Sequence, residues 1–364
     1  MAGKRTTIKD IAGQAGVSLG TVHCALAGKP GVGDATRQRI LSLARTLNYR
    51  PNAMAASLKR KTVTVAAAFP EPTGDNRYYF PFVWQGVRDY LHTQGDLKIN
   101  LIELPHHKGT DLENELAGLL ERDGLDGLLT SGFMDDFGQP PLSRFTGLDI
   151  PVALVGDDMP QSGRLCCVQP DYEVIGRTLA ELLSRQIPRD GSILVCAGNA
   201  SMPSHYLIVA GIDAYMRENG MKNPVYTIHN SRSDGEKITR ELERHADIAA
   251  CVAVNARGSV MLGRALVDTG RAGKVIAVGN DLFEENVAFL RDGVFTNLLH
   301  KNQYHQARTA ARLLVDHLLR GRSPDSEVTF VSSEVVFRSA LPMYARGHLS
   351  APVFRSGTSG MNSQ

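Results

Sequence analysis

With 364 residues, 43% of them hydrophobic and 21% charged, the chain has the makeup of ordinary globular protein and enough length for two or three cores, which excludes a disordered or fibrous chain. The net charge of +2 conceals an asymmetry: residues 1–61 hold eleven Lys or Arg against two acids, so a head of +9 precedes a body of −7. Such a head suits contact with a polyanion, with a solvated basic surface as the plain alternative until a motif decides.

The opening MAGKRTTIKD has no apolar stretch of the kind a secretory leader needs. The longest apolar runs, such as 63–69 and 248–254, have the length of buried strands rather than membrane spans, so a cytoplasmic protein is expected. Five cysteines without a C-x-x-C read as reduced thiols, and His106 and His107 lack ligand spacing, so no metal or cofactor is expected.

Thr7 and Asp10 form a capping-box start, after which Ile8, Ile11, Ala12 and Ala15 recur at helical spacing until Gly16 breaks the run. Ser18 caps a second helix over 19–27, whose Val22 and Leu26 face the same core. A third helix over 35–47, behind Asp34, supplies Ile40, Leu43 and Leu47. Pro51 then opens an alanine-rich stretch with helix propensity, too short to be stable by itself.

The strings T-I-K-D-I-A-x-x-A-G-V-S-x-x-T-V, K-P-G-V, T-R-x-R-I and L-N-Y-R-P-N-A-x-A-x-S-L carry a resemblance to the DNA-binding head of the lactose-repressor (LacI/GalR) family, over nearly all of residues 6–59. The resemblance implies an all-α helix-turn-helix domain over 5–50, a hinge helix and linker over 51–61, and a homodimer on a pseudo-palindromic double-stranded operator. It sets Leu19, Gly20 and Thr21 at the start of the major-groove helix, followed by His23 and Cys24 where the family usually has Ser-Arg. Leu19 offers apolar contact to a thymine methyl, Gly20 no side chain, His23 a donor or acceptor, and Cys24 a small packed group. Thr7, Ser18, Lys29, Thr36, Tyr49, Asn52, Ala55 and Lys59 complete the implied DNA contacts. Leu58 matches the hinge leucine that wedges open a minor-groove step.

From Thr62 onward strands are predicted at 63–69, 98–104, 125–131, 152–155, 192–197, 225–228, 248–254 and 275–278. Helices are predicted between them at 82–93, 111–122, 174–184, 208–218, 235–245, 259–268 and 303–319. This alternation, with almost continuously apolar strands, predicts a parallel, doubly wound α/β body over 62–345. Similarity to periplasmic sugar-binding proteins implies two Rossmann-like lobes, one of 62–165 with 296–323 and one of 166–295 with 324–345. Three segments, near 163–169, 293–298 and 322–328, then cross between them, and a small sugar-like effector occupies the cleft. Residues 350–364, rich in Ser and Gly, read as a disordered tail.

Asn255 and Asp281 lie just past strand ends and match effector contacts of the family, and Asp157 matches one residue out of register. Phe80 follows the first strand and suits stacking on a sugar face. Helix capping is the alternative role for Asn255 and Asp281, and core packing for Phe80. The family's anchoring arginine, three residues before Gly211, is Ile208 here. Either His205 or Arg257 supplies the missing positive group, or the ligand lacks the usual polar group, or effector binding has decayed.

No G-x-S-x-G, P-loop, H-E-x-x-H or post-strand G-x-G-x-x-G is present, which disfavours an enzyme. A solute-binding receptor shares the body but has no use for a basic helix-turn-helix. The expectation is a DNA-binding transcription regulator of repressor type, controlled by a small molecule held between two lobes.

Overall fold

The computed structural model describes residues 6–26, 30–47, 49, 62–94, 98–107, 109–120, 124–133, 142–229 and 234–345. The expected hinge over 51–61, the tail over 350–364, and Lys29, Asn52, Ala55, Leu58 and Lys59 lie outside the described residues. The chain divides into two units, Met1–Ala56 and Ser57–Gln364.

The first unit contains α1 (Ile8–Ala15), α2 (Leu19–Leu26) and α3 (Asp34–Thr46). The capping box forms at the start of α1: the Thr7 N–H donates to Asp10 Oδ2 at 2.7 Å, and the Asp10 N–H donates to Thr7 Oγ1 at 3.4 Å. Gly16 ends α1 at φ 64°, in the left-handed region that glycine occupies without steric cost. Ser18 Oγ then accepts the Thr21 N–H at 3.1 Å and starts α2. Ile11, Ala12, Ala15, Val22, Ala25, Ile40 and Ala44 make the buried core, with Leu26, Leu43 and Leu47 packed against it.

Helix α3 starts one residue earlier than expected, at Asp34, and Gly33 holds the cap position without a side-chain bond. Arg37 Nη1 donates to the Ala25 carbonyl at 3.2 Å and Arg39 Nη2 to the Ala15 carbonyl at 2.8 Å. Both arginines of the T-R-x-R-I string therefore satisfy the open C-terminal carbonyls of α2 and α1, where cations also complement the helix dipoles.

The second unit runs β1 (Thr62–Pro70), α4 (Phe80–His92), β2 (Lys98–His106), α5 (Gly109–Leu120), β3 (Gly127–Thr130), α6 (Ser143–Thr146), β4 (Val152–Val155) and β5 (Cys166–Pro170). It continues with α7 (Tyr172–Ser184), β6 (Ser192–Gly198), α8 (Pro203–Glu218), β7 (Val225–His229), α9 (Asp234–Arg244), β8 (Ile248–Ala253), α10 (Ala256–Asp268), β9 (Ile276–Asn280) and α11 (Glu284–Arg291). The final elements are β10 (Asn297–His300), α12 (Gln303–Arg320), β11 (Val328–Val331), β12 (Glu334–Phe337) and α13 (Leu341–Ala345). Two sheets result, in orders β11-β5-β4-β3-β1-β2 and β12-β10-β9-β8-β6-β7.

Each sheet repeats one winding, with the second strand in sequence outside the first and the third inside it. The strand-end crevice at that reversal is where such sheets bind ligands. Alternation along β1 serves both faces: Val63, Val65, Ala67 and Phe69 join the core under α4 and α12, while Ala66 and Ala68 join the core under α5. In the second sheet Leu194 and Cys196 face one core, and Ile193, Val195 and Ala197 the other. All five cysteines are free, four of them buried and Cys24 half-buried.

The lobe boundaries differ from those expected. Strand β5 belongs to the first sheet, β10 to the second and β11 to the first, so the chain crosses after residues 170, 300 and 331, just beyond the ends of the expected crossings. The expected crossing near 163–169 overlaps β5, the one near 293–298 runs into β10, and the one near 322–328 ends at β11. Strands this short carry too little periodicity to be separated from a linker by pattern alone. The body is also not wholly parallel, since β12 pairs antiparallel with β10.

Helices α7 and α8 meet backbone to backbone at Gly176 and Gly211. A Cβ on Gly176 would lie 2.8 Å from the Ile212 nitrogen and closer still to the Ile208 carbonyl oxygen. Gly176→Ala is therefore expected to destabilise the body by about 1–3 kcal/mol through overpacking. Gly118→Ala, on α5 with nothing within 4 Å of the added carbon, is expected to be neutral or slightly stabilising. Thermal melts of the two variants check this, and equal melting temperatures would remove the close-approach argument.

Candidate nucleic-acid interface and inter-lobe cavity

In the head, the packing that buries Val22 and Ala25 turns the opposite face of α2 outward. Leu19 is 47% exposed, an unusual position for a large apolar side chain. Gly20 and His23 are exposed beside it, while Thr21 and Cys24 are half-buried. Thr21 Oγ1 lies 2.9 Å from Ser18 Oγ, so these two hydroxyls are engaged with each other at the start of the helix. Thr7 is exposed, and Thr36 and Tyr49 are half-buried. A surface with one bare apolar residue, a bare glycine and one imidazole suits contact with base edges and methyl groups in a major groove.

In the body, the two lobes enclose a cavity of about 130 Å³. All six effector residues expected from sequence, Phe80, Asp157, His205, Asn255, Arg257 and Asp281, line it. Six of the lining residues stand just beyond the C-terminal end of a strand: Ser131 after β3, Asp157 after β4, Tyr172 after β5, Asn255 after β8, Asp281 after β9 and Lys301 after β10.

Polar contacts join the lobes across this cavity. Asp157 accepts the Ser204 N–H at 2.7 Å and the Ser204 hydroxyl at 3.1 Å, which places its carboxylate on the first turn of α8. Arg257 Nε lies 3.3 Å from Asp75 Oδ2. Outside the cavity the Tyr78 and Phe283 rings pack with centroids 4.6 Å apart, in a small apolar cluster with Phe82, Ala256 and Val260.

Asp281 is 1% exposed and has a φ of 74°, uncommon for a non-glycine residue. Its Oδ2 lies 3.3 Å from Lys301 Nζ and its Oδ1 accepts the Lys301 N–H at 3.4 Å. Asn255 is an N-cap, accepting the Gly258 N–H at 2.6 Å. The capping alternative therefore holds for Asn255, at a position that also lines the cavity. His205 is buried, and its Nδ1 accepts the Asn199 N–H at 3.0 Å. Desolvation, with the nearby Lys301 charge, pulls its pKa down to about 3, so the ring is neutral with its hydrogen on Nε2. Burial pushes the Tyr79 and Tyr172 hydroxyls well up, followed in effect by the Asp157 charge. They stay protonated, and Tyr79 donates to Gln306 Oε1 at 3.3 Å.

Two family models match this chain. One, described as bacterial regulatory proteins of the lacI family, matches residues 7–52, and one described as a periplasmic binding protein domain matches residues 68–323. The chain belongs to the lacI family of bacterial regulatory proteins, with a periplasmic binding protein domain as its body. The ribose operon repressor of Bacillus subtilis (strain 168) is 30% identical over 160 residues, which span 41% of this chain and 43% of that protein. The transcriptional regulator pepR1 of Lactobacillus delbrueckii subsp. lactis is 25% identical over 269 residues, spanning 71% of this chain and 76% of the relative. Among solved structures, the glucose-galactose binding protein GanP of Geobacillus stearothermophilus matches with a TM-score of 0.67 at 20% identity, covering 78% of this chain and all of that one. A periplasmic ribose ABC transporter structure from Conexibacter woesei DSM 14684 matches with a TM-score of 0.66 at 19% identity, over 79% and 95% of the two chains. These last two establish the fold.

For a lacI-family chain the position of Ile208 is informative. Ile208 is fully buried in the second lobe's core with Ile175, Val195 and Ile212, and is not among the residues lining the cavity. Neither His205, which is neutral, nor Arg257, which pairs with Asp75, is the buried cation; that residue is Lys301. Sequence reasoning missed Lys301, Tyr79, Ser131, Tyr172 and Ser204. The usable signal was position after a strand, which was lost for Lys301 and Tyr172 because β10 and β5 were read as crossings.

His205 also makes stability depend on pH. Between its ordinary pKa of 6.5 and about 3 the unfolded chain binds a proton that the folded chain refuses. Stability therefore falls as pH drops through this window and is unaffected by this residue above it. His205→Gln is expected to flatten the loss of melting temperature between pH 6.5 and pH 4 relative to the parent. Parallel melting curves for the two proteins would show that the imidazole is not held neutral.

Proposed function

We propose that this protein is a sequence-specific DNA-binding transcription regulator, of repressor type, whose affinity for its operator is set by a small sugar-like molecule held between the lobes of its body. The observation that carries the DNA-binding half is the outward first turn of α2, with Leu19 half-exposed on a head of charge +9. The cavity at the strand ends supports the sensing half. In this reading the body acts by binding rather than catalysis: a ligand with unequal affinity for two arrangements of the lobes shifts the DNA-binding equilibrium by that difference.

The name of the ribose operon repressor, and the sugar-binding proteins that share the body's fold, favour a monosaccharide-like effector. We further propose that the protein acts in the cytoplasm as a homodimer on a pseudo-palindromic operator, with Leu58 of each copy wedged into the minor groove. Among the described residues no helix is long and apolar enough to cross a membrane. No group of three or more His, Cys, Asp or Glu is placed there to hold a metal ion.

Gel shifts with DNA from the gene's own upstream region test the reading. A dimer contacting six or more phosphates is expected to lose roughly a thousandfold in affinity between 50 and 200 mM salt. A protein that shifts no such fragment at low salt, with or without sugars, would refute it. For the sensor, Asp281→Ala would strand the buried Lys301 ammonium, so Asp281→Asn, which keeps an acceptor, is the better probe. Loss of the charge-assisted contact is expected to raise the effector dose about tenfold or more in the same assay. An unchanged dose would remove Asp281 from the effector site.

A further inference from the structure

The cavity has four features that would ordinarily attract an anion: two cationic side chains, Lys301 and Arg257, and the N-termini of α8 and α10, where open N–H groups and the helix dipole favour negative charge. Each already has a partner within the protein at one or more of its atoms. Lys301 faces Asp281 at 3.3 Å, with both residues nearly fully buried. Arg257 faces Asp75 at 3.3 Å. At α8, the Ser204 N–H and hydroxyl are taken by Asp157, which arrives from the other lobe. At α10, the Gly258 N–H is taken by the Asn255 amide oxygen. His205 adds no charge, since its burial keeps the ring neutral.

What remains directed at a ligand is uncharged. The Tyr172 hydroxyl and the Asn76 amide line the cavity, the Tyr79 and Ser131 hydroxyls, whose protons go to Gln306 Oε1 and the Phe133 carbonyl, keep oxygen lone pairs with which to accept, and the Phe80 and Phe133 rings supply apolar faces. Carboxylates whose lone pairs are not exhausted by their cations accept from hydroxyl groups. An incoming phosphate or carboxylate, in contrast, would have to displace Asp157 or Asp281 from its partner and then sit beside a buried carboxylate of its own sign.

We infer that this cavity selects an uncharged, hydroxyl-rich ligand and rejects the phosphorylated or carboxylated form of the same sugar. The inference rests on the sensing half of the proposed function and narrows it.

Titration calorimetry on the full-length protein with matched pairs tests it: D-ribose against D-ribose 5-phosphate, D-glucose against D-glucose 6-phosphate, and D-galactose against D-galacturonate. For each neutral sugar that binds, its anionic counterpart is expected to bind at least tenfold more weakly. Asp75→Asn, which releases Arg257 from its carboxylate, is expected to narrow that ratio at least threefold. Asp75 lies exposed on a short 3-10 turn, Gly74–Tyr78, so the variant does not disturb a core. An anionic member that binds as tightly as its neutral partner overturns the inference and leaves sugar sensing standing. A ratio unmoved in Asp75→Asn overturns its electrostatic cause. If no sugar of either series binds while the protein still shifts its operator, the sensing half itself fails, and the inference with it.

Discussion

Asp157 follows β4 in one lobe and places its carboxylate on the first turn of α8 in the other, a buried polar contact that ties the two lobes together at the cavity. Parallel strands send their C-terminal ends, and the N-termini of the helices that follow, to the same edge of each sheet. Two such edges brought face to face confront rows of unsatisfied N–H groups across a cleft. Asp157 neutralises one of them from the opposite side, so closure of the lobes supplies a polar partner that an open cleft would take from water. Arg257 with Asp75 and the Tyr78–Phe283 stack act in the same sense nearer the rim.

This constraint has a functional side. A sensor responds through the difference between a ligand's affinity for two conformations, and that difference is largest where the ligand touches both lobes. Tyr79 and Phe80 come from the first lobe, while His205, Asn255 and Asp281 come from the second. A ligand among them bridges the same gap that Asp157 bridges, which lets binding bias the lobes without an added element. In the head, Arg37 and Arg39 direct N–H groups at helix carbonyls, so these two cations brace the three-helix packing while keeping their charge.

Much of the cavity was legible in the sequence because the rule that locates it is local. A polar residue just past an apolar strand is visible in a string, and Asn255 and Asp281 were found in this way, whereas Asp157 was reached through the family resemblance, one residue out of register. Lys301 and Tyr172 follow the same rule but escaped it, because their strands, Asn297–His300 and Cys166–Pro170, are four and five residues long. Ser204 was invisible for a different reason. Its role depends on Asp157, 47 residues earlier in the chain and in the other lobe, and no periodicity links the two.

The sequence by itself determined much of the strand–helix order, the three-helix head with its capping box and glycine turn, the family, and six of the seventeen residues that line the cavity. These are properties of near neighbours: caps, periods of 2.0 and 3.6, and strings of fixed spacing. Tertiary structure alone decided which sheet β5, β10 and β11 join, that Ile208 turns into the core, and that each positive feature of the cavity already has a partner. Those outcomes rest on contacts between residues far apart in the chain, whose energies depend on burial and direction, and a linear string encodes neither.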